Sequence, residues 1–125
     1  MPSILVVDDS ATMRSVVADM LTRLGYHDVE QAENGVVAIE KIRAKPYSLV
    51  ISDWHMEGTA GPDVLKAFAR QSTKHSYRFI FMTADKTWAT QVDARLAGGD
   101  AFLLKPFTPA VLKSTIEKVL TGCRS

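Results

Sequence analysis

Five residues far apart in the sequence stand where an apolar run breaks off. Asp8 and Asp9 follow "ILVV", Asp53 follows "LVIS", Thr83 follows "FIFM" and Lys105 follows "AFLL". Three carboxylates brought into one crevice repel. At 4 Å and an effective dielectric of about 20, each pair costs roughly 4 kcal/mol. Lys105 would offset one charge, and a hard divalent cation with oxygen ligands would offset the rest. Mg2+ suits such a site, because it keeps several waters and uses only a few carboxylates. Taken singly, each residue has a plainer reading. An aspartate that ends a strand commonly serves as a turn or cap residue, and "DDS" alone resembles an N-cap cluster. The agreement of four apolar runs is what argues for function.

The elements that carry these residues alternate. "ILVV" is a continuous, partly β-branched run, as expected of a strand buried on both faces. Met13, Val16, Val17, Met20, Leu21 and Leu24 are spaced as the inner face of a helix, with Ser10 as N-cap and Gly25 just past its end. A weaker strand over 28–32 precedes "ENGVVAIEKI", where Val36, Ile39 and Ile42 predict a second helix, ended by Pro46. "SLVIS" is the third strand; a loop with Gly58, Gly61 and Pro62 leads to a helix through Leu65 and Phe68. "YRFIFM" is the fourth strand, a fourth helix runs around 86–97 to "GG", and "AFLL" is the fifth strand. Thr108 and Pro109 form an N-cap and N1 pair for a fifth helix, with Val111, Leu112, Thr115, Ile116, Val119 and Leu120 inward. Five strands alternating with five helices predict an α/β fold, a parallel sheet covered on both faces. In such a sheet all carboxyl ends lie on one edge, where open α/β folds bind ligands. The five residues are therefore expected to converge.

The bulk properties agree. The chain of 125 residues is 46% hydrophobic and 23% charged, which suits one domain able to bury a core without staples. Fifteen basic and fourteen acidic residues leave a formal net charge of +1, and give no electrostatic case for nucleic acid or a membrane surface. No apolar run approaches the ~18 residues that span a bilayer, and no signal peptide opens the chain. A single cysteine, Cys123, excludes an internal disulfide and fits a reducing cytoplasm. The expectation is a cytoplasmic monomer, one domain over 1–125.

The stretches "ILVVDDSATMR", "SDWHM", "FMTAD" and "AFLLKPF" together resemble the response-regulator receiver domains, most closely the single-domain CheY-like chemotaxis regulators, over essentially the whole length. The resemblance implies a flavodoxin-like fold with strand order 2-1-3-4-5. It implies that Asp53 is the phosphoacceptor and that Asp8, Asp9, Asp53 and the backbone carbonyl of His55 hold Mg2+. Lys105 would contact phosphate oxygens, with a cis bond to Pro106. Thr83 would be the switch hydroxyl and Phe102 the aromatic switch residue, while Ala84 leaves room for the phosphoryl group. The donor would be a sensor histidine kinase or a phosphotransfer protein. The output would be protein binding on the face of the last two helices and the strand between them, with the flagellar motor switch as the leading target.

The chain departs from the family in its acceptor loop. Many members carry a "MP" motif beyond the acceptor; here the run is "MEGTAG", with Glu57 in the proline position. His55 and Asp85 occupy positions that influence phosphate lifetime in the family. Either they hydrogen-bond across the site and set that lifetime, or both point into solvent. His27 and His75 read as surface residues, and Trp54 as cover for the flank of the site. Trp88 has Val92 and Leu96 at helical spacing, a core stripe by pattern, yet the resemblance puts it on the surface, where it would contact a partner.

Other classes are excluded by particular residues. A haloacid-dehalogenase-type phosphatase needs a second aspartate two residues after its nucleophile, where this chain has His55. A nucleotide or flavin site wants a Gly-rich loop after the first strand, and "DDSATM" has none. A phosphorelay shuttle remains the second reading. A binding module that works without phosphorylation would have no reason to bear the repulsion of the acidic set.

Overall fold

The computed structural model describes residues 2–54, 61–71, 78–84 and 99–121. Within them, β1 (Ile4–Val7), β2 (Val29–Ala32), β3 (Leu49–Asp53), β4 (Phe79–Thr83) and β5 (Ala101–Leu104) form one sheet. The helices are α1 (Ala11–Arg23), α2 (Gly35–Ala44), α3 (Gly61–Gln71) and α4 (Pro109–Thr121). All strand pairs are parallel and the order is β2-β1-β3-β4-β5, the flavodoxin-like order that the family resemblance implied. The helix expected around 86–97 lies outside the described residues, as do His55, Glu57, His75, Asp85, Trp88 and Cys123.

The central strands are wholly buried, which is why their sequences are unbroken apolar runs. Their alternating side chains feed two cores. Leu5, Val7, Val50, Phe79 and Phe81 pack against α2 and α3. Ile4, Val6, Ile51, Ile80, Met82 and Leu103 pack against α1 and α4. Helix ends follow the capping chemistry: Ser10 accepts from the Met13 amide, Asn34 from Val37 and Thr108 from Val111. Gly25 adopts φ 99° after α1, a conformation open to glycine at little cost.

Three predicted core positions are corrected. Val16 is 41% exposed, Val36 56% and Val111 49%. Each adjoins the edge of a helical stripe whose centre is occupied by others: Val17 and Leu21 on α1, Ala38 and Ile42 on α2, Leu112 and Ile116 on α4. Periodicity locates a stripe but not its width, and one residue of rotation, about 100°, suffices to reach solvent.

Two details of packing carry predictions. Gly61 begins α3 against the end of β3. A Cβ there would lie 2.6 Å from the Asp53 carbonyl oxygen and 3.1 Å from the Phe81 ring. Both neighbours belong to the sheet and cannot yield as a surface side chain would. Gly61→Ala is therefore expected to lose about 1–3 kcal/mol, the usual range for overpacking, measured by urea unfolding; an unchanged midpoint would contradict the close approach.

Near the amino end of β2, Lys45 hydrogen-bonds Glu30 and lies 5.2 Å from the centre of the buried Tyr47 ring. Burial, reinforced by the charge of Glu30, pushes the Tyr47 phenol up to about 12. Between the ordinary value of 10.0 and about 12, the unfolded chain has released this proton while the folded chain retains it. Stability is thus intact below pH 10.0 and falls as pH climbs through that window. Tyr47→Phe should show a shallower decline than the parent over the same window, followed by denaturant unfolding at stepped pH; parallel curves would rule the phenol out.

Candidate functional site

Strand register brings the predicted residues to one edge. Val7 pairs with Ser52, so Asp8 and Asp53 emerge side by side. Asp53 pairs with Met82, and Thr83 with Leu104, one residue before Lys105. The backbone continues this fastening beyond the strands: Trp54 N–H donates to the Met82 carbonyl at 2.8 Å, and Lys105 N–H to the Thr83 carbonyl at 2.8 Å. The Lys105–Pro106 peptide is cis, as expected from the resemblance.

The side chains meet as well. Lys105 Nζ is 2.7 Å from Asp8 Oδ2 and 3.4 Å from Asp53 Oδ2, one ammonium bridging the ends of two neighbouring strands from a third. Asp8 is almost fully enclosed and Asp53 is 8% exposed; Asp9 is exposed. One oxygen from each of the three carboxylates lies within 4.8 Å of the others. Three carboxylates against one ammonium leave two negative charges uncompensated. The donors are hard oxygens in an acidic cluster, so these residues fit a divalent metal site.

Asp8 is held on every side. Its N–H donates to the Ala32 carbonyl at 3.2 Å, and Oδ1 accepts from the Ser10 amide at 2.9 Å. Oδ2 accepts from Lys105, and its carbonyl accepts from Arg14 Nη1 at 2.7 Å. Asp9 has no hydrogen-bond partner among the described residues. The acidic pair is thus divided into an anchored member and an available one.

Thr83 and Phe102 occupy the opposite parity of their strands from Asp53 and Lys105. Thr83 continues the Phe79–Phe81 face, is buried and engages in further polar contact. Phe102 is half-buried against that same core. The acidic set and the two switch candidates therefore share an edge but face different layers. Trp54, expected to cover the flank of the site, packs on the α2–α3 core, its ring edge-on to Phe81 at 4.8 Å between centroids. Ala84 is exposed, and His27 lies at the surface.

Sequence reasoning missed Arg14 and Gly61 as parts of this edge. Arg14 sits among the polar residues of an amphipathic helix, a position ordinarily read as solvated. Its offset of six residues from Asp8 corresponds to no periodic signal. Gly61 reads as a loop glycine, and only the packing reveals what presses on it.

The sequence matches the response regulator receiver domain family over residues 4–117. It is 42% identical over 118 residues to chemotaxis protein CheY1 of Helicobacter pylori, covering 94% of this chain and 95% of that protein. Among solved structures, Vibrio cholerae chemotaxis protein CheY4 superposes with a TM-score of 0.87 at 31% identity, covering 96% of this chain and 99% of that one. The response regulator TrrA of Thermotoga maritima, solved in complex with Mg(2+)-BeF, gives 0.82 at 32% identity, covering 96% and 100%. With the parallel sheet, its strand order and the acidic edge already in place, the chain belongs to the response regulator receiver domains, the phosphorylation-activated switches of two-component signalling.

Proposed function

We propose that Asp53 is the phosphoacceptor and that the chain is a chemotaxis regulator switched by its phosphorylation. The observation that carries this reading is the Lys105 ammonium within 2.7 Å of Asp8 and 3.4 Å of Asp53. A carboxylate is a weak nucleophile toward an anionic phosphoryl group, so attack requires charge neutralisation and alignment more than covalent help. Asp53 has the alignment, at the end of a strand buried on both faces. Its Oδ attacks the phosphorus of a phosphohistidine on a sensor kinase or phosphotransfer protein. The P–N bond breaks, the imidazole leaves with a proton, and an aspartyl phosphate remains.

Mg2+, when bound, would neutralise the phosphoryl oxygens and the surrounding carboxylates. Asp8, Asp9 and Asp53 would hold it, together with the His55 carbonyl. Lys105 then turns from the carboxylates toward the phosphoryl oxygens. Thr83, the last residue of the neighbouring strand, offers the hydroxyl that draws toward the phosphoryl group, and Phe102 follows into the space this opens. His55 and Asp85 are the residues to set the phosphate lifetime.

The output surface is proposed on the β5–α4 side, with Trp88 as a further contact. There Leu104 and Val111 are exposed apolar residues beside a depression of about 570 Å³ lined also by Phe102, Pro106, Phe107 and Thr115. Apolar side chains left uncovered next to a switch residue suit a protein target better than a small molecule. Chemotaxis is favoured over a phosphorelay because the CheY1 likeness runs nearly the full length of both chains; the flagellar motor switch is the proposed target.

Acetyl phosphate with Mg2+ should add one phosphoryl group to the chain, read by intact mass. Asp53→Ala, or chelation of the metal, should abolish the gain. A parent chain that stays unmodified would leave a binding module that works without phosphorylation.

A further inference from the structure

Arg14 is a guanidinium beside an acidic cluster, yet it forms no ion pair with any described carboxylate. Its Nη1 donates instead to the backbone carbonyl of Asp8 at 2.7 Å. The Arg14 amide donates to the Ser10 carbonyl at 3.0 Å, so the residue is fixed in the first turn of α1 while its side chain reaches back to the end of β1. The peptide unit is planar. Holding the Asp8 carbonyl oxygen therefore also sets the orientation of the Asp9 N–H and the position of its Cα, from which the Asp9 side chain starts. Asp9 has no hydrogen bond of its own among the described residues, so the held peptide is what places its main chain.

We infer that Arg14 is a positioning residue for the metal site, fixing the Asp8–Asp9 peptide from which both carboxylates extend. This rests on the reading of Asp8, Asp9 and Asp53 as a cation site. Two effects of Arg14 on a cation have opposite signs. As a nearby positive charge it repels the ion, and its removal would tighten binding. As a clamp on the ligand loop it preorganises the site, and its removal weakens binding; outer partners of metal ligands are typically worth about 10–100-fold in affinity. The geometry favours the second effect, because the guanidinium is spent on a carbonyl rather than on a carboxylate.

The direction of the change is thus the test. Mg2+ affinity is measured by titration calorimetry on the full chain and on Arg14→Ala, Arg14→Gln and Arg14→Lys. Amide exchange at Ser10, whose N–H is held by the Asp8 carboxylate, is followed without metal. Arg14→Ala is expected to bind Mg2+ about tenfold more weakly and to exchange faster at Ser10, with a near-parental thermal midpoint. Arg14→Lys, which keeps a charged donor, should recover most of the affinity, and neutral Arg14→Gln part of it. Equal or tighter binding by Arg14→Ala would assign only a charge effect and overturn the inference. If the parent chain does not bind Mg2+ at all, the cation reading itself fails. Ser10 exchange then decides whether Arg14 positions the loop, and unchanged protection in Arg14→Ala would end that claim too.

Discussion

The Lys105 ammonium, lodged between Asp8 and Asp53, is the contact on which the carboxyl edge depends. Two carboxylates on adjacent buried strands cannot stand together without a counter-charge, since burial strengthens their repulsion and removes the water that would screen it. Lys105 supplies that charge from the far side of β4, two strands from Asp53 and three from Asp8 in the sheet order. Its ammonium is only partly exposed, and the two carboxyl groups it meets are nearly enclosed. The pairing is therefore felt by both acids and ties β5 to the middle of the sheet. The negative charge it leaves uncompensated at the rim is the electrostatic demand for a divalent cation. A single short contact thus serves a resting state and prepares an occupied one.

Strand parity does the next part of the work. The two-residue period of a strand sends Asp53 and Lys105 toward the α1–α4 layer, while Thr83 and Phe102 continue the face that packs on α2 and α3. The proposed chemistry and the proposed response therefore lie on opposite faces of the sheet, linked by the Lys105 N–H to Thr83 carbonyl bond at 2.8 Å. The aromatic rings of Trp54, Phe81 and Phe79, with successive centroids 4.8 Å apart, pack the layer on the other face of the sheet from Asp53. Close-packed cores resist continuous deformation and move between discrete arrangements. A sheet edge backed in this way can convert a small displacement into a change of packing.

What the sequence made legible follows from the same physics. A strand buried on both faces must be apolar throughout, so the residue that ends the run is conspicuous, and Asp8, Asp53, Thr83 and Lys105 could be picked out one by one. Ser10, Thr108 and Gly25 were legible because caps and left-handed turns accept few residue types. Helix faces were less so: Val16, Val36 and Val111 satisfy the period but stand past the margin of the stripe. Arg14 and Gly61 were illegible for another reason. Their roles depend on main-chain atoms, the Asp8 and Asp53 carbonyls, and a backbone oxygen has no signature in the sequence. Tyr47 likewise reads as an ordinary loop residue until Glu30 and Lys45 are seen beside it.

The unequal holding of the acidic pair bears on how the edge would change state. Asp8 has its amide, its carbonyl and both carboxylate oxygens engaged, so an incoming cation meets it as a fixed boundary. Asp9, exposed and unpartnered among the described residues, can turn toward the ion without breaking a bond. Lys105 is intermediate, because its bonds are to groups whose charge the ion itself would neutralise. Once a cation shares Asp8 and Asp53, the attraction holding the ammonium weakens, and a phosphoryl group on Asp53 would present it with new oxygens nearby. The lysine cannot travel far, since its main chain is bound to Thr83. The ammonium therefore turns about its side-chain torsions at the end of β4, where the proposed switch hydroxyl sits. On this reading, cation binding and switching are coupled through one side chain that changes partners, while the backbone that carries it stays fastened to the sheet.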